Sequence, residues 1–149
     1  MPRVLASLVF AALVPAVASI CSATTYQGPG VLVVGFPGTL VIRGHWNSSM
    51  DHFVGRIRCR PRLLCVAKHG RFLATILDPR SSIIVGTAFY PHNVQCRYEG
   101  DFTTGCGIDG GLNFQAADPR DLICGPFFCM DSVTGQELRS GTFAVKRQH

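Results

Sequence analysis

Six of the seven cysteines of this 149-residue chain fall between positions 59 and 129, as Cys59, Cys65, Cys96, Cys106, Cys124 and Cys129. Cysteines this dense either hold zinc or form disulfides. The spacings Cys-x5-Cys, Cys-x9-Cys and Cys-x4-Cys contain no Cys-x2-Cys knuckle of the kind that zinc sites use. The N-terminus decides the compartment, and with it the chemistry. Arg3 supplies a positive start, Val4 to Val14 is almost wholly apolar, and Pro15 precedes Ala16-Val17-Ala18. Charge, short apolar run and small-residue exit are the three parts of a secretory signal peptide over residues 1–18. The apolar run is about half the roughly 20 residues of a spanning helix, and no later stretch is long enough either, so no transmembrane segment is expected. An exported chain meets oxidising conditions, and three disulfides among the six clustered cysteines follow as the expectation. Spacing alone does not choose among the possible pairings. Cys21 is the cysteine left over. It is unpaired, bridges two chains, or is lost if cleavage falls after Ala23.

Removal of residues 1–18 leaves 131 residues (149 − 18) as one domain, with 13 Lys+Arg against 9 acids and a net charge of +4. Low charge density and high apolar content argue for a packed core rather than disorder. The chain then reads as short strands between turn signals. Candidates are Val31–Val34, Thr39–Arg43, Phe53–Arg60, Leu63–Ala67, Arg71–Leu77, Ser82–Tyr90, Val94–Glu99, Gly111–Ala116, Leu122–Phe128 and Thr142–Lys146. They are rich in Val, Ile, Phe and Thr and bounded by Gly, Pro, Asn and Asp. Gly28-Pro29-Gly30 and Gly105-Cys106-Gly107 read as turns, and Asp109-Gly110-Gly111 as a hairpin turn. The pattern predicts an all-β fold: a small disulfide-stapled sandwich or barrel of short antiparallel strands. At most a short helix is expected, near Asp131 to Leu138, and the tail 146–149 should fray.

The most distinctive local pattern is Arg56-Ile57-Arg58-Cys59-Arg60-Pro61-Arg62. A strand has a period of two, so Arg56, Arg58, Arg60 and Arg62 would share one wet face while Ile57 and Cys59 point to the core. Lys68 and Arg71 follow, and no acid occurs from Phe53 to Ile76. Guanidinium forks suit phosphate, sulfate or carboxylate. One reading of the stretch is therefore a binding surface for an acidic glycan, an anionic lipid surface or an acidic protein. The competing explanation is an edge strand whose charges block sheet-to-sheet aggregation. Only Phe53 and Phe72 are aromatic here, so base stacking and specific nucleic-acid recognition are not supported.

Catalytic patterns are sparse. The histidines His45, His52, His69, His92 and His149 lie in no nucleophile elbow or zinc helix, and no cofactor or metal is expected. Tyr90-Pro91-His92, followed by Tyr98-Glu99-Gly100, resembles a stretch of the small secreted microbial guanyl-specific ribonucleases. That resemblance implies His92 as a catalytic histidine. It is confined to residues 90–100, Glu99 does not occupy the family's catalytic-glutamate position, and the sole later histidine is His149. Asn47-Ser48-Ser49 is an N-glycosylation acceptor, and Lys146-Arg147 is a dibasic pair of the kind that some secretory processing proteases cut. The leading expectation is a secreted, non-enzymatic, effector- or ligand-like binding protein. A small secreted hydrolase using His92, and a wall or coat component bridged through Cys21, are the alternatives.

Overall fold

The computed structural model describes residues 23–32, 38–60, 65, 68–77, 80–109 and 111–149. Ten strands follow one another: β1 (Thr24–Leu32), β2 (Gly38–Trp46), β3 (His52–Arg60), β4 (His69–Ile76), β5 (Ile83–Phe89), β6 (Val94–Phe102), β7 (Gly105–Ile108), β8 (Leu112–Gln115), β9 (Leu122–Asp131) and β10 (Glu137–Gln148). Eight of them close an antiparallel barrel in the order β1-β10-β9-β6-β5-β4-β3-β2, and β7 and β8 form a separate hairpin. Of the two expected architectures the chain thus adopts the barrel. The expected signal peptide 1–18, Cys21, Arg62 and most of the expected strand Leu63–Ala67 lie outside the described residues.

Alternation along each strand builds the core. In β3, Phe53, Ile57 and Cys59 are buried, while His52, Val54, Arg56, Arg58 and Arg60 are exposed. Inward-facing aromatics fill the barrel through edge-on contacts: Phe53 against Phe72, Phe72 against Tyr98, and Tyr98 against Phe143. An interior pocket lined by Phe53, Phe72, Tyr98 and Phe143 measures about 30 Å³. That is room for about one or two waters, so this part of the barrel is a packed core and not a ligand cage.

The disulfides are Cys59–Cys65, Cys96–Cys129 and Cys106–Cys124. Cys96 and Cys129 are direct cross-strand neighbours on β6 and β9 and are each 1% exposed. Cys106–Cys124 ties the β7–β8 hairpin to β9. Cys124 and Cys129 therefore take different partners.

Several local expectations change. Gly28-Pro29-Gly30 is no turn but the middle of β1, paired with Leu40, Thr39 and Gly38 of β2. A Cβ on Gly28 would lie 1.9 Å from the Ala144 carbonyl oxygen, so glycine serves close approach of β1 to β10. Gly105-Cys106-Gly107 likewise lies inside β7. The Asp109-Gly110-Gly111 segment does join β7 to β8, with Gly111 at φ +76. No helix forms near Asp131 to Leu138. The Asp131 carboxylate accepts backbone N–H bonds from Val133 and Thr134, which gives the segment a local turn instead. The C-terminal residues expected to fray are held in β10, where Lys146, Arg147 and Gln148 pair with Gln27, Tyr26 and Thr25.

Candidate anion-binding face

Outward-facing side chains on adjacent strands form rows across the barrel surface. Arg56 lies directly opposite Arg43 of β2 on one side and Arg71 of β4 on the other. All three are exposed. Neighbouring strands are about 4.8 Å apart, so the three arginines start within roughly 10 Å of one another. Along β3 the same face continues through Arg58 and Arg60, about 7 Å per step. Arg58 is paired with His69, and Lys68 is exposed just before β4, where its carbonyl accepts the Cys59 N–H at 2.8 Å. A row of arginines thus crosses a column of arginines at Arg56.

Register is what assembles this face. The Asn47–Asp51 turn fixes it: the Asn47 carboxamide oxygen accepts the backbone N–H groups of Asp51 and His52, each at 3.0 Å. The glycosylation candidate Asn47 also donates its Nδ2–H to Asp51 at 2.6 Å and is exposed. Arg43 was not among the sequence candidates. Its outward position could be read from the alternation Leu40-x-Ile42, but its alignment with Arg56 depends on that turn.

None of the ion pairs among the described residues involves Arg43, Arg56, Arg58, Arg60 or Arg71. Within 38–77 the single acid is Asp51, in the turn, where hydrogen bonds from His52 and Asn47 hold its carboxyl below the usual range. Arg71 places its guanidinium carbon 5.8 Å from the Phe89 ring centroid. Beside the arginine row, Val54 and Leu73 face each other and are both exposed, which adds an apolar strip to the charged one.

The ribonuclease-like residues do not converge. His92 is exposed in the β5–β6 turn at φ 63, next to Asn93 at φ 62. Glu99 lies five residues beyond the start of β6, about 17 Å along the strand, and pairs with Arg97 at 3.0 Å. His149 is at the opposite end of the barrel, 2.9 Å from Asp121. Among the described residues no group of three or more His, Cys, Asp or Glu side chains could hold a metal ion, and no helix is long and apolar enough to cross a membrane. Comparison with protein-family models, with curated proteins and with solved structures finds no match to this chain.

Proposed function

We propose that this is a secreted extracellular binding protein, non-enzymatic, whose β2–β4 face engages a polyanion, with an acidic glycan as the favoured class. The observation that carries this reading is the place of β3 in the sheet. β3 is hydrogen-bonded on both sides, to β2 and β4, within a closed barrel. It has no free edge, so edge protection does not account for its arginines. Like charges directly opposite one another on adjacent strands are destabilising. Arg43–Arg56 and Arg56–Arg71 repeat that arrangement twice, with no carboxylate to relieve it. An external anion would. Three disulfides fit an oxidising, exported setting.

Elution from heparin along a salt gradient tests the reading. The triple variant Arg43→Gln/Arg56→Gln/Arg71→Gln should elute at clearly lower salt than wild type, with a thermal melt equal to or slightly above it, because exposed charges contribute little to stability and the substitutions remove two opposed like-charge pairs. Arg97→Gln, whose partner is Glu99, should elute with wild type. Co-elution of the triple variant with wild type would refute the glycan face. Equal retention on anionic vesicles and none on heparin would move the partner class to a lipid surface.

A further inference from the structure

The end of the barrel at which β1 and β3 begin and β2, β4, β6 and β10 end is open and concave. It holds a pocket of about 390 Å³ lined by Tyr26, Trp46, Met50, Phe102, Arg120 and Arg147 among others. That volume lies in the range of small-molecule sites, and barrel mouths are a common place for them. Apolar and aromatic side chains make its floor. Trp46 donates its indole N–H to the Tyr26 hydroxyl at 3.3 Å. That hydroxyl therefore accepts, and its own O–H meets no acceptor among the described residues.

Two guanidinium groups converge on this floor. Arg147 is the cross-strand neighbour of Tyr26 and continues the inward-facing row Phe143–Val145 of β10 to the rim. Its backbone N–H is anchored on the Asp121 carbonyl at 2.7 Å. Arg120 is held by a turn in which its own N–H meets the Asp118 carboxylate at 2.8 Å, and its guanidinium carbon sits 4.8 Å from the Phe102 ring centroid. Both arginines act electrostatically on the Tyr26 hydroxyl, each favouring its ionised form. Neither takes part in an ion pair among the described residues. One carboxylate, Asp51, also lines the pocket and is hydrogen-bonded by Asn47 and His52, and Asp121 is paired with His149, so neither neutralises the two arginines through an ion pair. An inward-pointing arginine at a barrel rim does not help pack the core. It supplies a fixed positive charge beside an apolar floor.

We propose that this mouth, separate from the arginine face on the outer wall, binds a small amphipathic anion. Such a ligand has an aromatic or similar apolar body, which rests on Trp46 and Phe102, and one carboxylate, phosphate or sulfate. Arg120, Arg147 and the Tyr26 O–H receive the anionic group as a charge-assisted set.

Trp46 is the chain's single tryptophan and lines the pocket, so its fluorescence reports the site directly. The probes are phenylacetate, phenyl phosphate and the uncharged phenylacetamide. The two anions should give a saturable change in Trp46 emission, and phenylacetamide should bind at least about tenfold more weakly. Arg120→Gln and Arg147→Gln should each weaken phenyl phosphate about tenfold, whereas Arg56→Gln on the outer wall should leave it unchanged. Equal binding of phenylacetamide and phenylacetate would overturn the anion site, and this comparison needs no variant to fold. Absence of a saturable change with either anion, or insensitivity to both arginine substitutions in folded protein, would also overturn it. Loss of heparin retention in the outer-wall triple variant bears on the glycan face alone.

Discussion

All three tyrosines of the chain are buried, and each has its hydroxyl pKa pushed upward. Burial is the main cause in every case. Tyr90 is pushed up to about 12, and Tyr98, hydrogen-bonded to it, is held well above 10. For Tyr26 the indole of Trp46 and the two mouth arginines oppose the effect of burial without cancelling it. A phenol ionises by losing a proton, so a raised folded pKa means that the unfolded chain releases protons first. The stability these residues contribute is complete below the unfolded value of about 10 and is lost as pH rises through the folded values. Phenolate absorbance should therefore stay low through the pH at which free tyrosine ionises. It should then appear steeply, together with the loss of Trp46's native emission. A gradual rise centred near pH 10 in protein that remains folded by circular dichroism would contradict the packed aromatic interior. The same burial explains why removing any of these rings is a core change and not a surface one.

At the scale of the element, β3 shows which inferences a pattern supports. Ile57 is 0% exposed, and Arg58 beside it is on the outer wall. Ile57→Asp should unfold the barrel or destabilise it by several kcal/mol, about the magnitude expected for an unpaired buried charge. Arg58→Gln should shift stability by no more than about 0.5 kcal/mol. Thermal melts of the two variants check both statements, and the reverse order would mean that the strand faces the other way. The alternation in β3 was legible because it depends only on period two. So was the all-β class, because turn residues recur between β-rich runs. What lay between strands was less legible. Gly28-Pro29-Gly30 and Gly105-Cys106-Gly107 have turn composition, yet they are strands; at Gly28 the backbone of Ala144 needs the space a side chain would fill, whereas Gly105 and Gly107 are paired with Gln115 and Asn113 without such crowding. Asp131 looked compatible with a helix, but its carboxylate caps a local turn. Arg43 and Arg147 were not legible as binding residues for one shared reason. Arg43 meets Arg56 through the register of a hairpin, and Arg147 meets Tyr26 across nearly the whole chain. Composition and local period carry no record of either encounter.

Closing the barrel requires two long-range pairings of unequal security. β6 and β9 are separated by the β7–β8 hairpin, and Cys96–Cys129 locks that pairing across 33 residues. In the loop-entropy account such a bond contributes about 3–4 kcal/mol. β1 and β10 join the two ends of the described chain, with Thr25 opposite Gln148 and Leu32 opposite Gly141. No disulfide among the described residues spans this seam. It forms only after the chain between its strands is arranged, and it is held by backbone pairing, by the buried side chains of Tyr26, Phe143 and Val145, and by the close approach at Gly28. Stability should therefore be uneven around the barrel, and the seam should open by local unfolding before the β6–β9 pair does. Amide hydrogen exchange should be fastest, among paired strand residues, at Thr25–Gln27 and Lys146–Gln148, and slowest around Cys96 and Cys129. Gly28→Ala inserts a methyl group where the Ala144 carbonyl oxygen stands, so it must push the two strands apart. It should accelerate exchange along β1 and β10 by more than tenfold, a change of about 1.4 kcal/mol in local opening, and leave β3–β5 much less affected. Uniform acceleration across all eight barrel strands would instead show that the seam has no independent opening and that the barrel unfolds as one unit. Because Arg147 and Tyr26 lie on this same seam, Gly28→Ala should also weaken phenyl phosphate binding at the mouth while heparin retention by the outer arginine face persists. A seam that carries one site and not the other would separate the two surfaces by their dynamics as well as by their position.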